Sequence, residues 1–322
     1  MKTALIFTGG TIGSTINSDG YIAPSSGGKY DILSGYDETD FDILNPYTIL
    51  SENLDFEHIT ALLKCIEQNL DNHDGIIVMH GTDTLQYAAA AAAYAFGLDT
   101  VPIIFVSSNY ILSDSRANGR INFSCAVDFI KNGCGRGTFI SYKNAGEAAK
   151  IHRAARALPY TPYSDAVTSL GGEYGRYEND NFVKNTDYTE FPDVIQPFGV
   201  MDLTKSRVIK LSAYLEMDIG SHASGAAGAS DAAGASGADA ILLETYHSGT
   251  VCESVVENTD KKIFILGVED RTQYASVKAY DRENVTVLKK AAAPAMYIKL
   301  NMALSAGRLD DMNKPLGGDF AE

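Results

Sequence analysis

Two short threonine-bearing segments hold the residues best placed to do chemistry. The first reads Thr8-Gly9-Gly10-Thr11-Ile12-Gly13 and directly follows the apolar run TALIF. Paired glycines let a chain turn sharply and admit a ligand to the backbone amides. A threonine in such a turn presents its hydroxyl at the edge of a sheet. The second segment, His80-Gly81-Thr82-Asp83-Thr84-Leu85, follows GIIVM. A carboxylate there can grip an ammonium group, and a hydroxyl can position a water. Thr82 or Asp83 would equally serve as the cap of a following helix. Free hydroxyls are weak nucleophiles that need a proton acceptor close by. Two threonine-bearing strand ends in one crevice point to hydroxyl-based acyl transfer, with backbone amides as oxyanion donors. The first segment is not GxGxxG, and no acidic residue follows a clear second strand at the right distance, which disfavours a dinucleotide site.

The elements that must carry these segments are legible as alternation. TALIFT, GIIVMH, PIIFVSS and GTFISY are short apolar runs that predict buried parallel strands. FEHITALLKCIEQNL and LQYAAAAAAYAFG, between them, predict helices. The pattern implies an α/β fold with a mostly parallel open sheet and helices on both faces. Ligands of such sheets sit beyond the carboxyl ends of the strands. A second block, with RVIKLSAYL, ADAILLETYH and KKIFILGVED as strands, predicts a smaller α/β domain. The expected division is 1–190, a linker over 191–205 that holds Pro192 and Pro197, and 206–322. The Gly/Ala/Ser-rich stretch 221–237 shows no chemistry and no structural repeat.

Composition narrows the partners. With 322 residues and a net charge of -15, the chain lacks the basic excess that nucleic acid or an anionic membrane surface requires. The opening apolar run is too short for a secretory h-region, and no stretch approaches a membrane span. Cys65, Cys125, Cys134 and Cys252 are scattered without a CxxC, as in a reduced cytoplasmic protein. The histidines form no metal-binding spacing, so neither metal nor other cofactor is expected.

Taken together, the two segments resemble the signatures of the bacterial L-asparaginase family, in its cytoplasmic type I-like branch. TGGTIG, Ser18-Asp19-Gly20-Tyr21-Ile22 and HGTDT carry the resemblance. Leu50-Ser51-Glu52-Asn53-Leu54, Val106-Ser107-Ser108-Asn109 and Ala117-Asn118-Gly119-Arg120-Ile121-Asn122 extend it. Thr245-Tyr246-His247-Ser248-Gly249-Thr250 resembles the segment that closes the site, with Ser248 as its substrate contact. The resemblance implies that Thr11 attacks a side-chain amide, releases ammonia, and is freed from the acyl-enzyme by water. It implies that Tyr21, on a mobile loop, helps to activate Thr11. Thr82 would join a second hydroxyl–lysine–carboxylate group, Asp83 would bind the substrate's α-ammonium, and Ser51 its α-carboxylate. It also implies a larger N-terminal α/β domain, a smaller C-terminal one, and homodimers or homotetramers.

Two positions depart from the family pattern. Aligned without gaps from Arg136-Gly137, the family's lysine falls on Ala154, next to Arg153, with Lys150 nearby. Either Lys150 takes its place or the second group is incomplete, because arginine cannot usefully accept a proton. Glu52 stands beside Ser51, where a second carboxylate would repel an amino-acid substrate. The leading expectation is hydrolysis of asparagine or a related amide, with Thr11, Tyr21, Thr82, Asp83 and Lys150 catalytic and Ser51, Glu52, Thr82, Asp83 and Ser248 binding. The alternative is a catalytically impaired homologue that binds a small amine or amino acid. The amidase component of a tRNA-dependent amidotransferase shares the motifs. TGGTIG begins at residue 8, however, without the extra N-terminal domain expected of it, and the acidic balance gives tRNA no support.

Overall fold

The structure is a computed structural model that describes residues 1–25, 31–217, 237–269 and 273–321. Residues 221–236 of the Gly/Ala/Ser-rich stretch lie outside the described residues. The larger sheet contains β1 (Thr3–Phe7), β4 (Phe41–Leu44), β5 (Gly75–Met79), β6 (Ile103–Val106), β7 (Thr138–Lys143), β8 (Ala149–Arg153), β9 (Gly175–Glu178) and β10 (Asn181–Lys184), in the order β10-β9-β8-β7-β6-β5-β1-β4. From β4 to β7 neighbours run parallel; from β7 to β10 they run antiparallel. A hairpin of β2 (Ser14–Ile16) and β3 (Ile22–Pro24) follows the first strand. β1, β5 and β6 are buried at every position because helices cover both faces.

One face carries α1 (Phe56–Glu67) and α2 (Leu85–Phe96); the other carries α3 (Gly119–Lys131). Asp55 caps α1 by accepting from the His58 amide, and Ile59, Leu62, Leu63 and Ile66 bury one stripe. The alanines of α2 are buried all round, which lets the helix pack closely on the sheet and on a further helix, α5 (Ala293–Ser305).

The smaller sheet is wholly parallel, β11 (Val208–Ser212), β12 (Ala240–Glu244), β13 (Lys262–Leu266) and β14 (Val285–Val287), with the short helix α4 (Glu253–Glu257) beside it. The chain is thus a larger mostly parallel α/β unit with a smaller C-terminal one. α5 packs on α2 and also on β11 and β12, so one core crosses the proposed boundary at 191–205. The C-terminal tail locks this joint. Lys299 on α5 pairs with Asp319 at 2.7 Å, both fully buried, and Arg156 donates to the carbonyls of Gly318 and Phe320.

Topology fixes where a ligand can go. β1 leads to β4 on one side, while β5 lies on its other side. The reversal opens a crevice beyond the carboxyl ends of β1 and β5. The two threonine-bearing segments leave those two strands.

Candidate functional site

The two segments touch through their backbones. Gly9 and Gly10 have φ of 103° and 74°, in the region that favours glycine. A Cβ on Gly9 would lie 2.1 Å from the Ile49 carbonyl oxygen, and one on Gly10 would lie 2.2 Å from Gly81 Cα. Glycine is thus required twice, once by conformation and once by proximity. The same Gly81 meets the third segment, since a Cβ there would lie 2.4 Å from Ser51 Oγ. Thr11, Ser51, Thr82 and Asp83 therefore converge on one crevice.

Hydrogen bonds tie the convergence down. Ser51 Oγ donates to Asp83 Oδ2 at 3.3 Å, and Thr84 Oγ1 donates to the Ser51 carbonyl at 2.8 Å. Thr11 begins a tight turn in which the Gly13 amide and Ser14 Oγ both donate to the Gly10 carbonyl. Thr11 and Thr82 are half-buried, and among the described residues neither hydroxyl makes a hydrogen bond. Thr84, not Thr82 or Asp83, is the N-cap of α2, and its side chain leaves the helix amides unbonded. The capping role expected for Thr82 or Asp83 is therefore corrected, and both side chains stay available to the crevice. His80, at the floor, is buried; burial pushes its pKa down to about 4 and keeps the ring neutral.

The remaining expected residues are placed less tightly. Tyr21 stands 73% exposed on the β2–β3 turn, which Asn17 Oδ1 holds by accepting from the Asp19 and Tyr21 amides. Glu52 is exposed on the same short turn as Ser51, so it sits at the lip and not in the floor. Ser248 lies in the loop at the carboxyl end of β12, 2.8 Å from Thr250 Oγ1. Lys150 lies on β8, opposite Tyr142, three strands from β5 and thus about 14 Å away at the usual strand spacing. Its ammonium is held by Glu147 at 2.6 Å. Arg153 is buried against Phe139 and Tyr174 and makes a two-pronged pair with Glu190 at 2.7 and 2.9 Å. The structure thus does not bring Lys150 or Arg153 to Thr82.

One residue near the crevice was missed from sequence. Tyr160 has a buried hydroxyl with no hydrogen-bond partner among the described residues, and its electrostatic neighbours include Tyr142 and Asp83. Its only signal is the Pro159 and Pro162 that flank it, and those mark a loop and no more. Among the described residues no three His, Cys, Asp or Glu side chains gather as a metal site, and no described helix is long and apolar enough to cross a membrane.

Fold and site together define a two-domain α/β protein with a hydroxyl–carboxylate crevice at the switch point of its larger sheet. The chain belongs to the asparaginase family: the family model described as "Asparaginase, N-terminal" matches residues 2–170. Among curated relatives, a glutamyl-tRNA(Gln) amidotransferase component of Methanosarcina acetivorans is 30% identical over 201 residues, covering 58% of this chain and 46% of its own length. L-asparaginase 1 of Escherichia coli K12 is 34% identical over 129 residues, covering 38% of each. The chain spans less than half the length of these relatives. Among solved structures, the L-asparaginase of Thermococcus kodakarensis matches all of both chains with a TM-score of 0.79 at 19% identity. L-asparaginase I of Vibrio cholerae matches 100% of this chain and 99% of its own at 0.74 and 18%. These likenesses establish the fold, and family membership supports amidohydrolase chemistry in a divergent member.

Proposed function

We propose that the protein hydrolyses the side-chain amide of L-asparagine, or a related amide, through an acyl-enzyme on Thr11. The contact of Gly10 with Gly81 carries this reading, because it sets the Thr11 turn against the segment that bears Thr82 and Asp83. Thr11 Oγ1 attacks the amide carbon, the C–N bond breaks, and ammonia leaves with the hydroxyl proton. Water then attacks the ester, releases the acid and restores Thr11. Asp83 takes the substrate ammonium, Ser51 its carboxylate, and Thr82 positions water. Tyr21 and Ser248 would complete the site from mobile or neighbouring segments, in a cytoplasmic homodimer or homotetramer with no nucleic acid, membrane or cofactor. The test is ammonia release from asparagine and glutamine by the wild type and Thr11→Ala. Turnover should fall at least about a hundredfold in the variant, the order expected when covalent catalysis is removed. Wild-type activity in Thr11→Ala would remove Thr11 from the mechanism.

Two observations favour other readings. The curated relatives include glutamyl-tRNA(Gln) amidotransferase components, so the ammonia could pass to a second protein instead of being released. Preference for glutamine, rising on addition of a partner protein and tRNA, would select that reading. Lys150 is engaged by Glu147, which favours a homologue that binds an amino acid without turnover. Binding of L-aspartate with no ammonia release from any amide would select it.

A further inference from the structure

The loop after β8 returns to the crevice. Ala157 pairs with Ser169, and the Leu158 amide donates to the Thr168 carbonyl at 3.0 Å. Asn144, just past the carboxyl end of β7, holds the far side of this loop. Its Nδ2 donates to the Val167 carbonyl at 3.0 Å, and its Oδ1 accepts from the Val167 amide at 2.9 Å. β7 is parallel to β6 and β6 to β5, so the loop is pinned at the edge where β1 and β5 also end. Within it the Tyr160 ring packs on the core shared with α2.

Two features of this loop are unfavourable as they stand. The Tyr160 hydroxyl is buried and has no hydrogen-bond partner among the described residues, a cost that a partner would remove. Three residues on, Tyr163 is fully exposed with φ of 64°, a left-handed conformation that bulky residues rarely adopt. Such features persist where surrounding structure imposes them, and they gather at ligand sites. Burial, with Tyr142, Asp83 and Asp165 as neighbours, raises the Tyr160 pKa. The phenol therefore stays protonated. It can donate a hydrogen bond but cannot accept a proton as a lysine could. Asp83 accepts from Ser51, and among the described residues the Tyr160 donor is unused.

We propose that Tyr160 is a substrate-binding residue of this crevice, donating its phenolic O–H to an α-carboxylate oxygen of the amino-acid amide held by Asp83. The assignment rests on the hydrolytic reading above. It adds a phenolic donor to the hydroxyls of Thr11, Ser51 and Thr82, with Asp83 among its electrostatic neighbours. A zwitterionic substrate matches that arrangement, and a plain amine, with no acceptor oxygen, does not.

The test compares wild type with Tyr160→Phe, which keeps the ring and removes only the hydroxyl. KM for ammonia release and Kd for L-aspartate by calorimetry should both rise at least about tenfold, the loss of one hydrogen bond to a charged oxygen. Because the bond is made equally in ground and transition states, kcat should stay within about threefold. Melting temperature should hold or rise, because an unpaired buried hydroxyl has gone. Unchanged KM and Kd in an active wild-type background would make the hydroxyl a packing defect and overturn the proposal alone. If the wild type neither releases ammonia nor binds L-aspartate, the hydrolytic reading falls first and this assignment falls with it.

Discussion

Gly81→Ala is the most direct probe of the site, because three segments meet at that one backbone position. Gly81 is not in the left-handed region, so alanine meets no conformational penalty and only space decides. The new Cβ would lie 2.4 Å from Ser51 Oγ, 2.5 Å from Ser51 Cβ and 3.1 Å from Gly10 Cα. Ordinary contact begins at 3.4 Å, so Ser51 must retreat by about 1 Å. It cannot do so by swinging its side chain alone, because Cβ is as close as Oγ. Its carbonyl is also tethered to Thr84 at 2.8 Å. The whole turn Ser51–Asn53 must shift, and the crevice opens between Ser51 and Asp83, the proposed carboxylate-binding and ammonium-binding groups. A misplacement of about 1 Å costs on the order of a hundredfold in rate. Overpacking of this kind costs about 1–3 kcal/mol of stability, which leaves the protein folded. We expect kcat/KM for ammonia release to fall about a hundredfold, with a modest drop in urea midpoint. Adding Ser51→Gly should restore the midpoint but not the activity, since it removes the clash and the hydroxyl together. Activity within about threefold of wild type in folded Gly81→Ala would refute the convergence of the three segments as the basis of the site.

Asp83→Asn should weaken binding of substrate or L-aspartate by more than about 1.5 kcal/mol, the low end for a hydrogen bond to a charged group. It should leave the melting temperature unmoved, because Thr84 occupies the cap position; a lower melting temperature with unchanged affinity would return Asp83 to a structural role. Glu52→Gln should raise kcat/KM for asparagine by less than about fivefold, and the gain should shrink in salt, because an exposed carboxylate at the lip is screened. A salt-insensitive gain of tenfold or more would put Glu52 in the floor instead. Burial holds His80 and His152 down to about 4, below the ordinary value near 6.5. Unfolding lets both rings take protons, so their contribution is complete above about pH 6.5 and is lost as pH falls toward 4. Each should cost about 2 kcal/mol of stability at pH 5 relative to pH 7.5. Equal urea midpoints at those two pH values would show that the rings are not held neutral.

The parallel heart of the fold was legible because its strands are buried on both faces and read as unbroken apolar runs, as in GIIVM and IIFV. The antiparallel extension was not. β8 is AKIHR and β9 is GRYE, in which charged residues alternate with others in no helical or apolar pattern. Both are held by neighbours: Lys150 by Glu147 and Arg176 by Glu178. The site was legible where glycines advertised it. Gly9, Gly10 and Gly81 are glycines because another backbone or side chain occupies the space of a Cβ, and that pressure leaves a mark in sequence. Tyr160 left no such mark, since a buried hydroxyl without a partner is a fact of three dimensions alone.

The lysine question shows the same limit and bears on mechanism. A gap-free alignment placed the family lysine on Ala154, one residue after β8. The register pairs Arg153 with Phe139, and Phe139 is level with Ile104 and Ile77, at the middle of β5. Thr82 lies beyond the carboxyl end of β5. A linear alignment cannot register that a strand after a hairpin runs backward, so each residue along β8 moves the chain away from the crevice. Lys150, earlier on β8, is level with His80, but it lies three strands away and is paired with Glu147. The basic residues of β8 therefore supply no proton acceptor to Thr82, and Tyr160, with its raised pKa, supplies none either. In the proposed reaction Thr82 would bind and orient. In the proposed acyl-enzyme route the covalent step would then fall to Thr11, with the β2–β3 hairpin that carries Tyr21, or the substrate itself, as the source of its proton acceptor.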